Sequence, residues 1–248
     1  MNGFESNTYG DAFADVYDEW YANVSDVNST VARLAQLAGR FPHLPVLELG
    51  VGTGRLAIPL AAAITPQLVM GIDTSTAMLA QLARKRDRDS VEIVAGDMVD
   101  NLPEGPFALA FVAYNTFFGL TTAQRQSECF CAVAQRLATA GAFVVEAFVP
   151  DELHGGGDHI EVRTLQSDAV VLSISRSNAD QTVDGQFVQF TEAGGVRLRP
   201  WSILPASPDA LDRMATNAGL RLSERTETFA GGDFNAHSVR HVSIYVKE

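Results

Sequence analysis

Between residues 46 and 148, short apolar segments alternate with segments in which apolar residues recur every three or four positions. The short apolar runs predict five strands, at 46–50, 68–73, 91–95, 107–114 and 142–148. The segments of helical spacing predict helices at 54–63, 76–86 and 122–138. Strands that alternate with helices in this way form a parallel sheet covered on both faces, so the pattern predicts a doubly wound α/β domain.

The N-terminal segment is rich in aromatic residues at helical spacing. It predicts two helices within residues 9–40, the second of which ends at Gly39 and Pro42. Five aromatic residues fall within thirteen positions: Tyr9, Phe13, Tyr17, Trp20 and Tyr21. They form either an ordinary packing stripe or a lid whose rings cover a flat ligand.

After Pro150 the apolar residues no longer recur every three or four positions but at every second position. The alternation predicts a small antiparallel sheet of four strands, at 159–165, 169–177, 185–192 and 196–204. A helix at about 207–218 and two antiparallel strands follow, at 220–227 and 239–246.

These patterns divide the chain into four regions. We expect an N-terminal helical lid at 1–42, a nucleotide-binding core at 43–150, an antiparallel β insertion that covers the substrate at 151–205, and a C-terminal segment at 206–248 that carries a helix and the last two core strands.

Composition and charge narrow the classes of partner. The 248 residues, 46% apolar and 19% charged, fit a soluble globular protein with one large domain. A net charge of −12 disfavours nucleic acid, because phosphate contacts require Lys and Arg. No apolar run approaches the roughly 18 residues of a membrane span. The first residues show no secretory signal, so we expect a cytoplasmic protein.

The two cysteines, Cys129 and Cys131, lie two positions apart on a predicted helix and point to different sides. A disulfide between them is therefore disfavoured, and two thiols alone make no zinc site. The sequence leaves open whether the chain pairs with a second copy as a homodimer.

Three glycines at alternate positions, Gly50, Gly52 and Gly54, follow the first predicted strand and precede a helix. Glycine allows a sharp turn and a close approach of a ligand to the backbone. The free N–H groups of the helix start favour a polar or anionic ligand. A turn of this kind at the end of a parallel strand predicts a nucleotide-like ligand.

Acidic residues end the next two predicted strands. Asp73 follows Gly50 by 23 residues, where a carboxylate can accept both hydroxyls of a ribose, although a helix cap is the alternative interpretation. Asp97 stands beside Met98 at the end of the third strand. The two side chains would offer an acceptor to a purine amino group and an apolar surface to its ring.

Four segments together resemble the class I S-adenosylmethionine-dependent methyltransferases, and the resemblance covers nearly the whole chain. They are Glu48-Leu-Gly-Val-Gly-Thr-Gly-Arg55, Gly71-Ile-Asp-Thr-Ser75, Gly96-Asp-Met98 and Ala113-Tyr-Asn-Thr-Phe-Phe118. The resemblance implies a Rossmann-like seven-stranded sheet with a reversed C-terminal hairpin, and S-adenosylmethionine as the cofactor.

By this resemblance, Glu48 and the glycine turn hold the methionine end, Asp73 the ribose, and Asp97 with Met98 the adenine. The complete predicted cofactor set is Tyr17, Trp20, Tyr21, Glu48, Gly50, Gly52, Gly54, Arg55, Leu56, Asp73, Thr74, Met78, Gly96, Asp97, Met98, Tyr114 and Asn115.

Within the family, the chain is similar to small-molecule enzymes that include the amino-sugar N-methyltransferases. Tyr9, Tyr17 and the segment 144–150 carry this similarity. Those enzymes have a histidine shortly after the fourth strand, where Gly119 stands here. The catalytic candidates are Glu146, Tyr9 and His154, with His159, His237 and His241 as weaker ones.

The predicted acceptor pocket is aromatic, and for each of its residues core packing is the alternative. Its members are Phe117, Phe118, Phe148, Trp201 and Phe234.

The sequence thus predicts methyl transfer from S-adenosylmethionine to oxygen or nitrogen of a small molecule, of the kind found in secondary metabolism. One alternative is a nicotinamide-dependent oxidoreductase, which the glycine spacing and Asp97-Met98 disfavour. The other is a non-catalytic S-adenosylmethionine-binding or scaffold protein, which predicts a large exposed apolar face within residues 159–204.

Overall fold

A mixed sheet of eight strands organises the protein. The computed structural model describes residues 1, 3–22, 24, 26–85, 87, 90–150 and 157–248. The strands of this sheet are β1 (Val46–Leu49), β2 (Val69–Asp73), β3 (Val91–Ala95), β4 (Phe107–Val112), β5 (Leu137–Phe148), β10 (Leu220–Thr228), β11 (Gly231–Asp233) and β12 (Arg240–Lys247). Their order across the sheet is β11-β10-β12-β5-β4-β1-β2-β3.

The first five strands are parallel, and β12 inserts antiparallel between β5 and β10. The α/β class and the reversed C-terminal hairpin are therefore confirmed. The sheet has eight strands instead of the predicted seven, because the glycine-rich segment after β10 folds back and pairs with it at Thr226 and Thr228. A three-residue strand of this kind leaves no apolar run in the sequence.

The helices are α1 (Thr8–Phe13), α2 (Tyr17–Trp20), α3 (Val27–Ala38), α4 (Ala57–Ile64), α5 (Thr76–Leu82), α6 (Ala123–Arg136) and α7 (Pro208–Asn217). The described part of the N-terminal segment thus contains three helices, where two were predicted. The carboxylate of Asp26 caps α3 by accepting from the N–H groups of Asn28 and Ser29, which fixes a new helix start there. No helix in the described part of the chain is long and apolar enough to cross a membrane.

Two apolar clusters cover the faces of the large sheet. One contains Phe107, Phe130 and Phe143 and includes residues of α6 and α7. The other contains Leu34, Leu60 and residues of α3 and α4. With both faces packed, the carboxyl edge of the parallel strands is left as the place where a crevice forms.

A second sheet lies between β5 and α7 in the chain. Its strands, β6 (Asp158–Leu165), β7 (Ala169–Ser177), β8 (Val183–Thr191) and β9 (Val196–Ile203), form an antiparallel meander, as predicted. Its inner face packs on α1 and α2 through Phe187 and Arg199. Its outer face exposes apolar side chains: Ile160, Val162, Leu165, Phe190, Val196 and Leu198.

Candidate active site

A cavity of about 340 Å³ lies at the carboxyl ends of β1, β2 and β3. The large sheet forms its floor, the N-terminal helices form one wall, and the inner face of the second sheet closes it. Its size is that of sites for small molecules and cofactors. Ligands of open α/β sheets bind at this edge, so the cavity is the candidate active site.

The glycine turn predicted after β1 adopts a conformation that requires glycine. Gly50, Gly52 and Gly54 have φ angles of 70°, 54° and 75°. A Cβ on Gly50 would lie 2.4 Å from the Cγ2 atom of Thr116. Gly50 and Gly52 line the cavity, whereas Gly54 packs under Leu82 where α4 begins. The turn therefore brings bare backbone to the ligand.

Asp73, at the end of β2, lines the cavity with its carboxylate held by the backbone. Its Oδ2 accepts from Gly52 N at 2.8 Å, and its Oδ1 accepts from Ser75 N at 2.8 Å. Burial raises the pKa of Asp73 above its ordinary value, and the two amide donors oppose that rise. Each oxygen keeps a further acceptor position, so a pair of ligand hydroxyls can bind here.

Asp97 and Met98 follow β3 and also line the cavity. Asp97 Oδ1 accepts from Val99 N at 2.8 Å and from Arg125 Nη2 at 2.6 Å. Arg125, on α6, thus fixes the carboxylate from outside the cavity. No sequence pattern pointed to Arg125, because it lies 28 positions from Asp97 on another element.

Glu48 is buried under the glycine turn and does not line the cavity. Burial raises the pKa of Glu48 well above its ordinary value, and the charge of Arg55 only partly opposes this. Within the described residues its Oε2 has no hydrogen-bond partner. A buried carboxylate with an unsatisfied oxygen is a site that a cationic ligand or a donor would complete.

Four tyrosines form the wall above the glycine turn, and the sequence predicted all four as site residues. The Tyr9 hydroxyl donates to the Tyr21 hydroxyl at 3.2 Å, and the Tyr21 ring lies 4.7 Å from that of Tyr17 and 5.3 Å from that of Tyr114. Burial raises the pKa values of Tyr9, Tyr17 and Tyr114. These phenols are therefore neutral at physiological pH.

Two side-chain contacts tie the N-terminal helices to the cofactor edge of the sheet. Thr53 Oγ1 donates to Asp18 Oδ1 at 2.6 Å, beside the glycine turn. Ser75 Oγ donates to Asp11 Oδ1 at 2.6 Å, beside Asp73. Sequence reasoning did not single out these contacts, since Thr53 and Ser75 stand in the quoted motifs but nothing in the pattern points to Asp11 and Asp18 as their partners.

Glu146, predicted as a catalytic base, does not line the cavity. Its Oε2 accepts from Tyr114 N at 2.9 Å, and its own backbone O accepts from Asn115 N at 3.1 Å. Tyr114 and Asn115 have φ angles of 52° and 63°, a conformation that side chains rarely adopt. Glu146 therefore positions a strained turn that lines the cavity. His154, another candidate base, lies outside the described residues.

The weaker histidine candidates lie away from the cavity lining. His159 and His237 are exposed. His241 is buried on β12, with Nδ1 2.8 Å from Ser243 Oγ, and burial lowers its pKa to about 4. Gly119 does line the cavity, at the position where similar enzymes have a histidine, and open space surrounds its missing Cβ.

The aromatic acceptor residues separate into two groups. Phe148 and Trp201 line the cavity as predicted. Phe117 and Phe118 are fully buried in the core, because the 3-10 turn Thr116–Gly119 directs both rings inward against Phe130 and Phe148. Phe234 packs on Arg225 and His241, and does not line the cavity.

Of the predicted cofactor residues, those lining the cavity are Tyr17, Tyr21, Gly50, Gly52, Asp73, Thr74, Met78, Gly96, Asp97, Met98, Tyr114 and Asn115. The others, which lie behind or beside it, are Trp20, Glu48, Gly54, Arg55 and Leu56.

The second sheet supplies cavity residues that the sequence did not reveal. Arg163 and Phe187 line the cavity with Trp201. Gly185 makes room for the Trp201 indole, since a Cβ there would lie 2.1 Å from the ring. Buried Arg199 holds this sheet to the N-terminal helices through an ion pair with Asp15 at 2.6 Å. Alternation alone predicts the strands but does not show which face turns inward.

Comparison with known proteins gives consistent matches. The sequence pattern of the methyltransferase-domain family matches residues 46–141. The cypemycin N-terminal methyltransferase of a Streptomyces species is 28% identical over 238 residues, which are 90% of this chain and 94% of that protein.

Among solved structures, the CcbJ methyltransferase of Streptomyces caelestis is 35% identical, with a TM-score of 0.90, and the match covers 99% of this chain and all of that one. The S-adenosylmethionine-bound amino pentose methyltransferase CalS10 of Micromonospora echinaspora has the same fold, with a TM-score of 0.70, 20% identity and coverage of 94% and 97%.

Proposed function

Because the chain belongs to the S-adenosylmethionine-dependent methyltransferases, we propose that it methylates an amine nitrogen of a small molecule. The family membership confirms the enzyme class and the cofactor predicted from the sequence. The observation that carries the proposal is the joint placement of the glycine turn, Asp73 and Asp97 around one cavity, opposite neutral tyrosines.

In this proposal the cofactor lies along the carboxyl edge of the large sheet. The glycine turn holds its methionine end, with Glu48 buried behind that turn, Asp73 accepts from the ribose hydroxyls, and Asp97 with Met98 contacts the adenine. The carboxylates are already fixed by backbone amides and by Arg125. Preorganised acceptors of this kind lose little entropy when the ligand binds.

The N-terminal helices act as the lid over this site. Bound S-adenosylmethionine supplies an electrophilic methyl group on a sulfonium. The lid and the second sheet exclude water and hold the acceptor in line with it, which favours a reaction that disperses the sulfonium charge. The neutral hydroxyl of Tyr9 can accept an N–H from the acceptor and so orient its lone pair.

The lining of the cavity favours nitrogen over oxygen as the acceptor atom. No histidine and no glutamate occurs among the described residues that line it. A neutral amine carries its own lone pair, whereas a hydroxyl needs a base to become a good nucleophile. The cypemycin enzyme, which is named for methylation at an N-terminus, supports this choice.

Incubation with methyl-deuterated S-adenosylmethionine and a panel of small amines tests the proposal, with mass spectrometry as the readout. We expect label to appear in at least one amine and to be suppressed by S-adenosylhomocysteine. A matched panel of alcohols serves as the control for the acceptor atom. Binding of a nicotinamide dinucleotide in place of S-adenosylmethionine, or labelling of alcohols alone, would contradict it.

The outer face of the second sheet favours a homodimer. Its six exposed apolar side chains include Val162, Leu165 and Leu198, which are 60%, 77% and 57% exposed. Covering them and their half-buried neighbours would remove roughly 700–800 Å² from water on each copy, close to the ~800 Å² per partner of stable interfaces. The facing positions of the four strands are almost free of charge, so a second copy of the same face fits better than a charged partner.

Sedimentation velocity tests the dimer with two substitutions. Leu198→Glu should convert a dimer into a monomer, while Val239→Glu, at an even more exposed apolar residue elsewhere, should leave it a dimer. A monomeric wild type would overturn the interface, and so would a dimer unaffected by Leu198→Glu.

A cytoplasmic location without nucleic acid partners, in line with the net charge of −12, completes the proposal.

A further inference from the structure

Arg163 brings a cation into the part of the cavity formed by the second sheet. It lies on β6, is half-buried and lines the cavity. Its guanidinium carbon lies 5.1 Å from the Trp20 ring centroid, 5.2 Å from that of Tyr21 and 4.8 Å from that of Phe187. These three rings pack around the guanidinium and partly shield it from bulk water.

Within the described ranges, no carboxylate lies within ion-pairing distance of Arg163. One long hydrogen bond, from Nη2 to the backbone O of Trp20 at 3.4 Å, uses one of its five N–H donors. Arg199, on the same sheet, pairs with Asp15 instead. A half-buried cation without an anion keeps N–H donors that a ligand entering the cavity can use.

A second donor in the same region also lacks a partner. The indole Nε1 of Trp201 is buried and has no acceptor among the described residues. Trp201 and Arg163 both line the cavity, and the ring of Phe187, which touches the guanidinium, lies 6.3 Å from the indole. Buried donors are normally satisfied, so an unused indole donor in the same region as the unused donors of Arg163 indicates a missing acceptor.

The carboxylates and the unused donors of the cavity therefore lie at different ends. The carboxylates of Asp73 and Asp97 lie at the edge of the large sheet, whereas the unused donors lie at the second sheet. We infer that Arg163 and the indole N–H of Trp201 bind an anionic group, a carboxylate or a phosphate, carried by the methyl acceptor. This inference rests on the proposed function, since it describes the acceptor of the same reaction.

The arrangement would orient the acceptor by its anionic end. The guanidinium offers two parallel N–H groups, a geometry that matches a carboxylate or phosphate in a bidentate contact. An aromatic or aliphatic body would pack on Phe187 and Phe148, which leaves the amine free to face the tyrosines. The acceptor class is thus a small amine that also bears a carboxylate or a phosphate.

Calorimetric titration of the protein saturated with S-adenosylhomocysteine tests this subsite with three probes of similar shape. They are benzoate, phenyl phosphate and the uncharged benzamide. The first two distinguish the kind of anion, and benzamide controls for the apolar contacts. We expect wild type to bind at least one anion about ten-fold or more tighter than benzamide, since hydrogen bonds to charged groups are stronger than those to neutral groups.

Arg163→Gln should remove this preference and leave benzamide binding unchanged, and Arg163→Lys should restore only part of it, because lysine lacks the bidentate fork. Arg176→Gln, an exposed position on the neighbouring strand, is the charge-matched control and should behave as wild type. Equal binding of anion and amide by wild type, including no binding of either, would overturn the inference.

A separate titration with S-adenosylmethionine keeps the two proposals distinguishable. Arg163→Gln should bind the cofactor with wild-type affinity. Weaker cofactor binding in this variant would assign Arg163 to the cofactor carboxylate and overturn the acceptor subsite. If wild type itself binds no S-adenosylmethionine, the proposed function fails, independently of the probes.

Discussion

The two ends of the cavity are built by different means. At the edge of the large sheet, the ligand meets backbone: glycines with positive φ and carboxylates that accept from backbone amides. At the second sheet, it meets long side chains, namely Arg163, Phe187 and Trp201, which are held by stacking.

This difference separates cofactor binding, which is the invariable part of the reaction, from the choice of acceptor, which is the variable part. A backbone cradle follows from the turn and changes only when the fold changes, which suits a cofactor common to a family. Side chains on a separate sheet can be exchanged without disturbing the large sheet, which suits a choice among acceptors. Substitutions at the two ends should therefore affect cofactor and acceptor binding separately.

The largest effect is expected at the glycine turn. Gly50→Ala places a Cβ 2.4 Å from Thr116 Cγ2 on a residue with a φ of 70°, so the turn must distort. We expect S-adenosylmethionine affinity to fall roughly 100-fold, equivalent to about 3 kcal/mol. Calorimetry measures it, and Gly119→Ala is the control, because open space surrounds that position. Similar losses in both variants would show that the backbone cradle is not the determinant.

The next largest effect is expected at the contact between the N-terminal helices and the second sheet. Asp15→Ala leaves the cation of Arg199, which is only 1% exposed, without its carboxylate. Because Asp15 is partly solvated, we expect a loss of roughly 2–3 kcal/mol in the free energy of unfolding, below the usual cost of stranding a buried charge. Denaturant unfolding measures it.

Asp158→Ala is the matched control for that experiment, since it breaks an Asp–Arg pair of the same sheet that is exposed. It should leave the unfolding midpoint unchanged. If the two variants unfold at the same midpoint, the Asp15–Arg199 pair does not fix the second sheet.

The buried carboxylate of Glu48 should lower the free energy of unfolding when no cofactor is bound. Burial raises its pKa in the folded state, so the folded protein binds this proton more readily than the unfolded chain does. Relative to Glu48→Gln, wild type should therefore lose stability as the pH rises from about 4.3, the unfolded value, through the raised pKa.

Melting temperatures of the two proteins at pH 4, 6 and 8 test this prediction. They should coincide at the lowest pH, with the variant melting higher at pH 8 by about 2–4 °C per kcal/mol relieved. The same variant should bind S-adenosylmethionine more weakly. A variant that melts lower than wild type at pH 8 would mean that the carboxylate is stabilised in the unliganded protein.

The smallest effect is expected for Glu146→Gln. A glutamine oxygen can still accept from Tyr114 N, so the turn at Tyr114 and Asn115 should persist. We expect the methyl-transfer rate to change by less than about three-fold with an unaltered pH profile, whereas loss of a general base costs roughly 10²–10⁴-fold. Glu146→Ala, which removes the acceptor, should reduce the rate. A large loss in the glutamine variant would restore Glu146 as the base.

The same division explains what the sequence could predict. The cofactor end depends on local signals, which are glycines that need positive φ and acids that end buried strands, and Gly50, Gly52, Asp73 and Asp97 all line the cavity. Parallel strands bring those ends together whatever the loops do. The fold class and the inserted meander could also be predicted, because the periodicity of apolar residues is likewise a local signal.

The acceptor end depends on register, which periodicity does not give. A bulge between Val162 and Thr164 decides which side chains of β6 turn inward, so Arg163 could not be identified. Phe117 and Phe118 were assigned to the pocket because they follow the fourth strand, but a 3-10 turn buries both. The hydrogen bond from Tyr114 N to Glu146 likewise joins positions 32 residues apart.

Calorimetric titration of S-adenosylmethionine into wild type and Asp73→Ala tests the central claim most directly. If the edge of the large sheet holds the cofactor ribose through this carboxylate, the variant should bind about 10- to 100-fold more weakly, as expected for loss of roughly 1.5–3 kcal/mol from hydrogen bonds to a charged group. Its melting temperature shows whether the fold is intact. Wild-type affinity in a folded Asp73→Ala protein would contradict the placement of the cofactor.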